Sequence, residues 1–179
     1  GAAGAFEALV AGKGEAVPVC AWVLRTAPEP DARWRAADAL GRIGKDAAPA
    51  GPDLVAALSD RDPLVFRVAA RALGELAPDV PGAVPALVGL FPDVEAIRAL
   101  ARFGPRGVEA VPPLLDLCKH DDKAIRRQAV RALGKIGPSS VPAVPDLIRL
   151  TGSDPDDGVR EQAAEALGDI GPAAADGIP

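Results

Sequence analysis

Apolar residues recur along this chain with two nested periods. The short period is helical. Between Val159 and Ile170 the apolar residues Val159, Ala163, Ala166, Leu167 and Ile170 fall at i, i+4, i+7, i+8 and i+11, which is one face of an α-helix. The long period is a repeat. A large apolar residue stands at Phe6, Leu40, Leu73, Leu100, Leu133 and Leu167, and three residues later comes another, Leu9, Ile43, Leu76, Phe103, Ile136 and Ile170. Gly or Ala follows at Gly44, Ala77, Gly104, Gly137 and Gly171, with Val10 the exception. Twelve residues after the first column an Ala-Val-Pro-like tripeptide closes on Pro18, Pro52, Pro85, Pro112, Pro145 and Pro179, at spacings of 34, 33, 27, 33 and 34. Six registers that agree in four columns define a repeat protein.

Each unit predicts two helices. The first ends at the Gly column, where Gly supplies a positive-φ terminus and Pro prevents continuation, as in Gly171-Pro172. The second starts near Ala-Val-Pro, with Pro in its first turn, where no N–H is missed. Few residues join the two helices, which predicts antiparallel neighbours. Asp-rich loops precede the first helices at Asp60-Arg61-Asp62-Pro63, His120-Asp121-Asp122 and Asp154-Pro155-Asp156-Asp157. Asp there caps helix N–H groups and faces the positive end of the dipole. In the 27-residue interval Phe91-Pro92-Asp93-Val94 runs almost directly into Glu95, which predicts a first helix shortened by more than a turn.

The residues Asp156, Val159-Arg160, Ala163 to Pro172, and Ala143-Val144-Pro145-Asp146-Leu147 resemble the HEAT repeat, in its short form typified by phycobilisome-lyase-type repeats. The Trp/Tyr/Phe set of tetratricopeptide repeats and the Thr-Pro-Leu-His signature of ankyrin repeats are absent. The resemblance covers essentially the whole chain and is weakest over residues 1–12 and in the shortened unit. It implies an all-α fold, a right-handed α-solenoid of about six antiparallel helix pairs with the last incomplete. The repeats run approximately 1–27, 28–59, 60–91, 92–119, 120–152 and 153–179 of one domain. A concave face made by the second helices is also implied.

Composition narrows the functions. The net charge is −5, with 20 Lys plus Arg against 25 Asp plus Glu. A nucleic-acid binder shows a basic stripe instead. Gly and Pro number 19 each, yet 49% of residues are hydrophobic, enough for a packed core. One His, no Tyr, no Met and no Asn leave little for catalysis or metal binding, and no cofactor is expected. Among HEAT-like proteins, bilin lyases, deoxyhypusine hydroxylase and alkylpurine DNA glycosylases are catalytic. The hydroxylase needs several His–Glu pairs for iron, and a lyase needs a polar bilin pocket. His120 is the single candidate base, so no Ser/His/Asp or Cys/His set exists. Asp154, Asp156 and Asp157 lack the spacing and terminal Glu of a calcium loop. Cys20 and Cys118 fall on inward columns and read as small core residues, with no zinc spacing.

Positions two, five and six after the Pro are expected inside: Cys20, Val23 and Leu24; Leu54, Ala57 and Leu58; Leu114, Leu117 and Cys118. Positions one and four face outward and give the candidate partner-binding row, Val19, Trp22, Asp53, Ala56, Ala86, Gly89, Asp116, Asp146 and Arg149, apolar towards the N-terminus and charged towards the C-terminus. Trp22 is its candidate anchor, since Trp is enriched in binding hot spots. Trp34 is expected to lie across neighbouring side chains in a column shared with Arg67, Val94, Arg127 and Glu161. Arg33, Arg126 and Arg160 share a column, and Glu29, Asp62, Asp122 and Asp156 share another. Stacking predicts ion pairs between the two, partly exposed and each worth about 0–1 kcal/mol.

These features predict a non-catalytic scaffold that binds a protein or peptide on its concave face, with a structural spacer or regulatory segment of a larger protein as the alternative. Nucleic-acid and membrane partners are not expected, because the row lacks aromatic stacking and no 18-residue apolar run exists. The GC-rich flavour of the composition suggests a bacterial source and the missing signal features a cytoplasmic one. Bare terminal units predict a segment of a longer array, or ends covered by another chain, with end-to-end self-association.

Overall fold

The computed structural model describes residues 13–177, which form helices joined by short loops, with no β-strand among them. The elements are α1 (Lys13–Thr26), α2 (Pro30–Ile43), α3 (Gly51–Ala57), α4 (Pro63–Leu76), α5 (Ala83–Val88), α6 (Val94–Ala101), α7 (Val111–Leu117), α8 (Lys123–Ile136), α9 (Val144–Ser153) and α10 (Asp157–Ile170). Seven-residue 3₁₀ segments follow four first helices, at Gly44–Ala50, Gly104–Ala110, Gly137–Ala143 and Gly171–Gly177. The chain forms an α-solenoid that divides into two compact units, residues 1–87 and 88–179.

α8 shows why a unit folds as it does. Asp122 accepts from the Ala124 N–H and closes the helix N-terminus. Ile125, Ala129, Val130, Ala132, Leu133 and Ile136 are buried along one face. The helix stops at Gly137, with φ 75° and ψ −140°. That conformation lies on the mirror-image extended side of the map rather than in the left-handed helical well, and only Gly adopts it without strain. It turns the chain into the 3₁₀ segment, and Val144-Pro145 then opens α9.

Within the first unit α2 stacks on α4, and within the second α6 stacks on α8 and α8 on α10. Four second helices lie against the next first helix: α1 on α2, α3 on α4, α7 on α8, α9 on α10. The tight hairpins therefore join a second helix to the following first helix, while the 3₁₀ segment spans the turn within a pair. This differs from the expected short link inside each pair. The reason is that the Gly–Pro stretch itself coils and packs, burying Ala47 and Ala50 in one unit and Ser140 and Ala143 in the other.

The column residues Leu40, Leu73, Leu100 and Leu133 are fully buried. α6 has eight residues where the other described first helices have fourteen, as the short interval predicts. Three expectations need correction. Leu167 is only half buried, because α4 and α10 cover the helices of Leu40 and Leu133 whereas no described helix stacks on the outer side of α10. Pro18 does not begin its helix but lies inside α1, five residues after Lys13. That repeat has Val10 in the Gly column and no Gly–Pro stretch to start a 3₁₀ segment. Position five after the Pro is buried at Ala57 but only half buried at Val23 and Leu117, while Cys20, Leu24, Leu54, Leu58, Leu114 and Cys118 are buried as expected. The first helix of the first repeat, and Pro179, lie outside the described residues.

Candidate functional site

The candidate row sits on the solvent side of the second helices. Successive turns of α1 point Ala16, Val17, Cys20 and Leu24 inward. Trp22 and Val19 are thereby turned out, at 59% and 43% exposure. In the first unit Ala56 is exposed, and Asp53 and Ala86 are half buried. In the second unit Gly89, Asp116 and Arg149 are exposed and Asp146 is half buried.

Two clefts flank this face in the first unit. One, of about 450 Å³, is lined by Val17, Pro18, Ala21, Asp46, Pro49 and Ala50. The other, of about 510 Å³, is lined by Leu24, Ala27, Ala56, Ala57 and Ser59. They share Arg25 and Asp53, whose side chains meet at 2.7 Å. Trp22 lies one turn before Arg25 on α1. In the second unit Arg149 Nη2 donates to Asp146 at 3.0 Å, and Ile148 beside it is 41% exposed. Both ion pairs have an arginine more than half exposed, so they set polarity and direction rather than stability.

The remaining candidates settle into structural work. Trp34 donates Nε1–H to Asp31 at 3.0 Å and stacks under Arg35 at 4.7 Å. His120 Nδ1 accepts the Asp122 backbone N–H at 3.0 Å. Cys20 and Cys118 are buried free thiols, and burial pushes the Cys118 thiol up to about 12. Among the described residues no cluster of His, Cys, Asp or Glu could hold a metal ion. No helix there is long and apolar enough to cross a membrane.

The arginine column holds a device that the sequence pattern misplaced. Arg33 Nε and Nη2 donate to both oxygens of Asp60 at 2.7 and 3.0 Å, and Nη1 donates to the Ala27 and Pro28 carbonyls. Arg126 repeats this in the second unit. Its Nε and Nη2 donate to Asp154 at 2.8 Å, and Nη1 donates to the His120 and Asp121 carbonyls. In each case the carboxylate also accepts a backbone N–H two residues on, from Asp62 or Asp156. One guanidinium thus ties its own loop to the loop of the next repeat. The expected partners Asp62, Asp122 and Asp156 cap their helices instead, and the second oxygen of Asp156 meets Lys123 of the preceding repeat at 2.9 Å rather than an arginine. Nor are the pairs loosely exposed: the Arg126 and Asp154 side chains are 10% and 3% accessible. The signal was present as an Arg-to-Asp spacing of 27 or 28 residues at Arg33–Asp60 and Arg126–Asp154. Asp93, the N-cap of α6, holds the arginine column in that repeat, and there the next loop carries His120 in place of the aspartate.

Stacked helix pairs with this capping and this inter-repeat tie match the profile of HEAT repeats twice, over residues 17–95 and 93–168. The chain belongs to the HEAT-repeat family. No curated protein matches it by sequence. Among solved structures it is similar to an engineered protein at 28% identity and TM-score 0.71, covering 97% of this chain and 85% of that one. A second engineered protein matches at 28% identity and TM-score 0.68, with 86% of this chain against 47% of that one, so this chain spans about half its length. A designed armadillo repeat protein in complex with the peptide (KR)4 shares the fold at 22% identity and TM-score 0.72, covering 92% of this HEAT chain and 85% of that chain.

Proposed function

We propose that this HEAT-repeat chain is a non-catalytic scaffold that binds an extended protein segment along the exposed faces of its second helices. The observation that carries the reading is Trp22, a large apolar side chain left 59% exposed beside Val19 and one turn from a cleft floored by Pro18, Ala21, Pro49 and Ala50. Isolated exposed apolar residues are ordinary on a surface. A Trp next to a small-residue cleft offers what binding hot spots use, a rigid ring that buries a large area with few torsions to freeze. The Arg25–Asp53 pair between the two clefts gives a bound backbone or polar side chain one donor and one acceptor. The candidate row Val19, Trp22, Asp53, Ala56 and Ala86 serves the first unit, and Gly89, Asp116, Asp146 and Arg149 serve the second with a more charged surface. The repeat fold suits such a role, since stacked units build long binding surfaces without any catalytic group. A designed armadillo repeat protein of the same fold has been solved in complex with the peptide (KR)4.

The test is selection of peptides from a display library on the full chain, followed by affinity measurement on variants. Trp22→Ala should weaken the selected peptides at least tenfold, and Ala56→Arg should weaken those that cross the second cleft. Trp34→Ala should leave them unchanged. Peptides that bind equally well to wild type and Trp22→Ala would remove this reading.

A further inference from the structure

The solvent faces of the first helices carry two charged columns, two residues before and two residues after the leucine column. Stacked neighbours match them by sign. Between α2 and α4, Asp38 meets Arg71 at 2.6 Å and Arg42 stands against Glu75, the four lining one cleft. Between α8 and α10, Arg131 stands against Glu165, and Lys135 meets Asp169 at 2.8 Å. α6 and α8 stack as well, but there the same columns set Arg98 against Arg131 and Arg102 against Lys135. Each rung joins opposite charges at the first two joints and like charges at this one.

All four basic side chains are exposed. They gather at one seam of a chain whose net charge is −5. Like charges held side by side repel, and an anion placed between them reverses the sign of that interaction. The protein's own acids answer only part of the charge. Arg98 pairs with Glu95 of its own helix at 2.8 Å, and Lys135 with Asp169. Arg131 makes no ion pair among the described residues, while Glu165 across from it accepts from Gln162 Nε2 at 2.6 Å. Arg127, one turn earlier on α8, is exposed and adds a further positive charge opposite Val94.

The spacing defines what fits. The two rungs are four residues apart, about 6 Å along a helix. Carboxylates at i and i+4 of a helix laid along the seam fall one over each rung, with two oxygens to share between its two side chains. α10 carries that spacing in Glu165 and Asp169, which occupy the same two columns. Beyond α8 the surface turns acidic, with Glu161, Glu165 and Asp169 all exposed, so a long nucleic-acid backbone crossing the stack meets repulsion after one helix. Repeats contact only their stacking neighbours, so a further repeat at either end of the stack leaves this seam uncovered. We propose that the α6–α8 seam binds an acidic helix of a partner protein, whose carboxylates at i and i+4 bridge Arg98 with Arg131 and Arg102 with Lys135. The surface is separate from the second-helix face and does not depend on that reading.

The experiment titrates the full chain with a fluorescently labelled, alanine-rich helical peptide of about 20 residues that carries Glu at every fourth position. An isomer of the same composition spreads its Glu residues around the helix. Saturable binding by fluorescence anisotropy is expected, about tenfold tighter for the one-faced peptide than for the isomer. Arg131→Gln and Arg98→Gln, the two sides of one rung, should each weaken it about tenfold. The melting temperature of Arg131→Gln should not fall, because a like-charge rung is relieved and no ion pair is lost. Arg42→Gln, on a rung already matched by Glu75, should leave the affinity unchanged. Absence of saturable binding, equal affinity for the isomer, or equal affinity for wild type and both rung variants overturns the proposal. So does tighter binding of an oligothymidylate of similar length, since phosphates are then the ligand. Self-association of the peptide-free chain that disappears in Arg131→Gln, by sedimentation velocity, overturns it as well, since the occupant is then a second copy offering its α10 acids.

Discussion

Arg126 and Asp154 face each other across two repeats of the second unit, with both oxygens of the carboxylate held at 2.8 Å. The pair is nearly inaccessible, and its remaining donors and acceptors are used by the His120 and Asp121 carbonyls and by the Asp156 N–H. Removing one partner leaves the other charge buried, which costs far more than losing a surface pair. Asp154→Ala should therefore destabilise by about 3 kcal/mol. Asp53→Ala, whose partner Arg25 is 51% accessible, should cost less than about 1 kcal/mol. Urea denaturation of the two variants checks the contrast.

The same ties predict an acid limb. The guanidinium hydrogen bonds of Arg126 and Arg33 hold the Asp154 and Asp60 carboxyls below their ordinary value of 3.8, against an opposing push from burial. A carboxyl depressed in the fold contributes its stability in full above the unfolded value and loses it as pH falls through the folded one. Thermal stability should be flat in this respect from neutrality to about pH 4 and fall below it. In Asp154→Asn the fall should be shallower, because one depressed carboxyl is gone. Melting temperatures at closely spaced pH values between 2 and 6 decide it, and an unchanged slope in Asp154→Asn would contradict the tie.

Leu133 and Leu167 occupy one column with different burial. Leu133→Ala should cost about 3 kcal/mol or more, as a large-to-small change in a closed core does. Leu167→Ala should cost about 1 kcal/mol, since its side chain already meets solvent and leaves no closed cavity. Equal costs would mean that both leucines are covered alike.

Most of the fold was legible because its determinants are local and recur. The buried column Leu40, Leu73, Leu100 and Leu133, the shortened α6 and the capping by Asp62, Asp122 and Asp156 all follow from spacing within one repeat. What escaped depends on neighbours. Asp60 and Asp62 are both plausible partners for an arginine, and only the direction of the loop assigns one to the helix end and the other to Arg33. Pro18 looks like its five counterparts, yet the missing Gly–Pro stretch before it lets α1 begin earlier. For the candidate row, helical phase correctly turned Trp22, Ala56, Asp116 and Arg149 outward. The Arg25–Asp53 pair and the clefts beside it arise from the packing of α1 on α3, which no single repeat encodes.

Gly134 and Gly168 offer a further contrast of the same kind. A Cβ at Gly134 would press on the backbone of Ala166 at 2.9 Å, so α8 and α10 must separate to admit it. Gly134→Ala should destabilise by about 1–3 kcal/mol through overpacking. Gly168→Ala meets open space in a helix interior and should stabilise by about 0.5–1 kcal/mol, the ordinary helical preference for Ala. Thermal melts of the two single variants test this, and stabilisation by both would show that the two helices do not approach closely.

Cys118 reports on the second-helix face of the second unit from beneath. Its thiol is buried at the end of α7, pushed up to about 12 first by desolvation and then by the Asp146 carboxylate, with Arg149 and Lys119 acting the other way. At pH 8 that leaves a thiolate fraction on the order of one in ten thousand, and the thiolate is the reactive form. Alkylation by iodoacetamide in the folded protein should be slow, limited by this small thiolate fraction. It should accelerate in step with urea-induced unfolding. Asp146→Asn removes the carboxylate without opening the site, so it should lower the thiol's pKa and speed modification at high pH, while Arg149→Gln should slow it. If both variants react at the wild-type rate across pH 8 to 10, the Asp146 and Arg149 charges do not act on the Cys118 thiol.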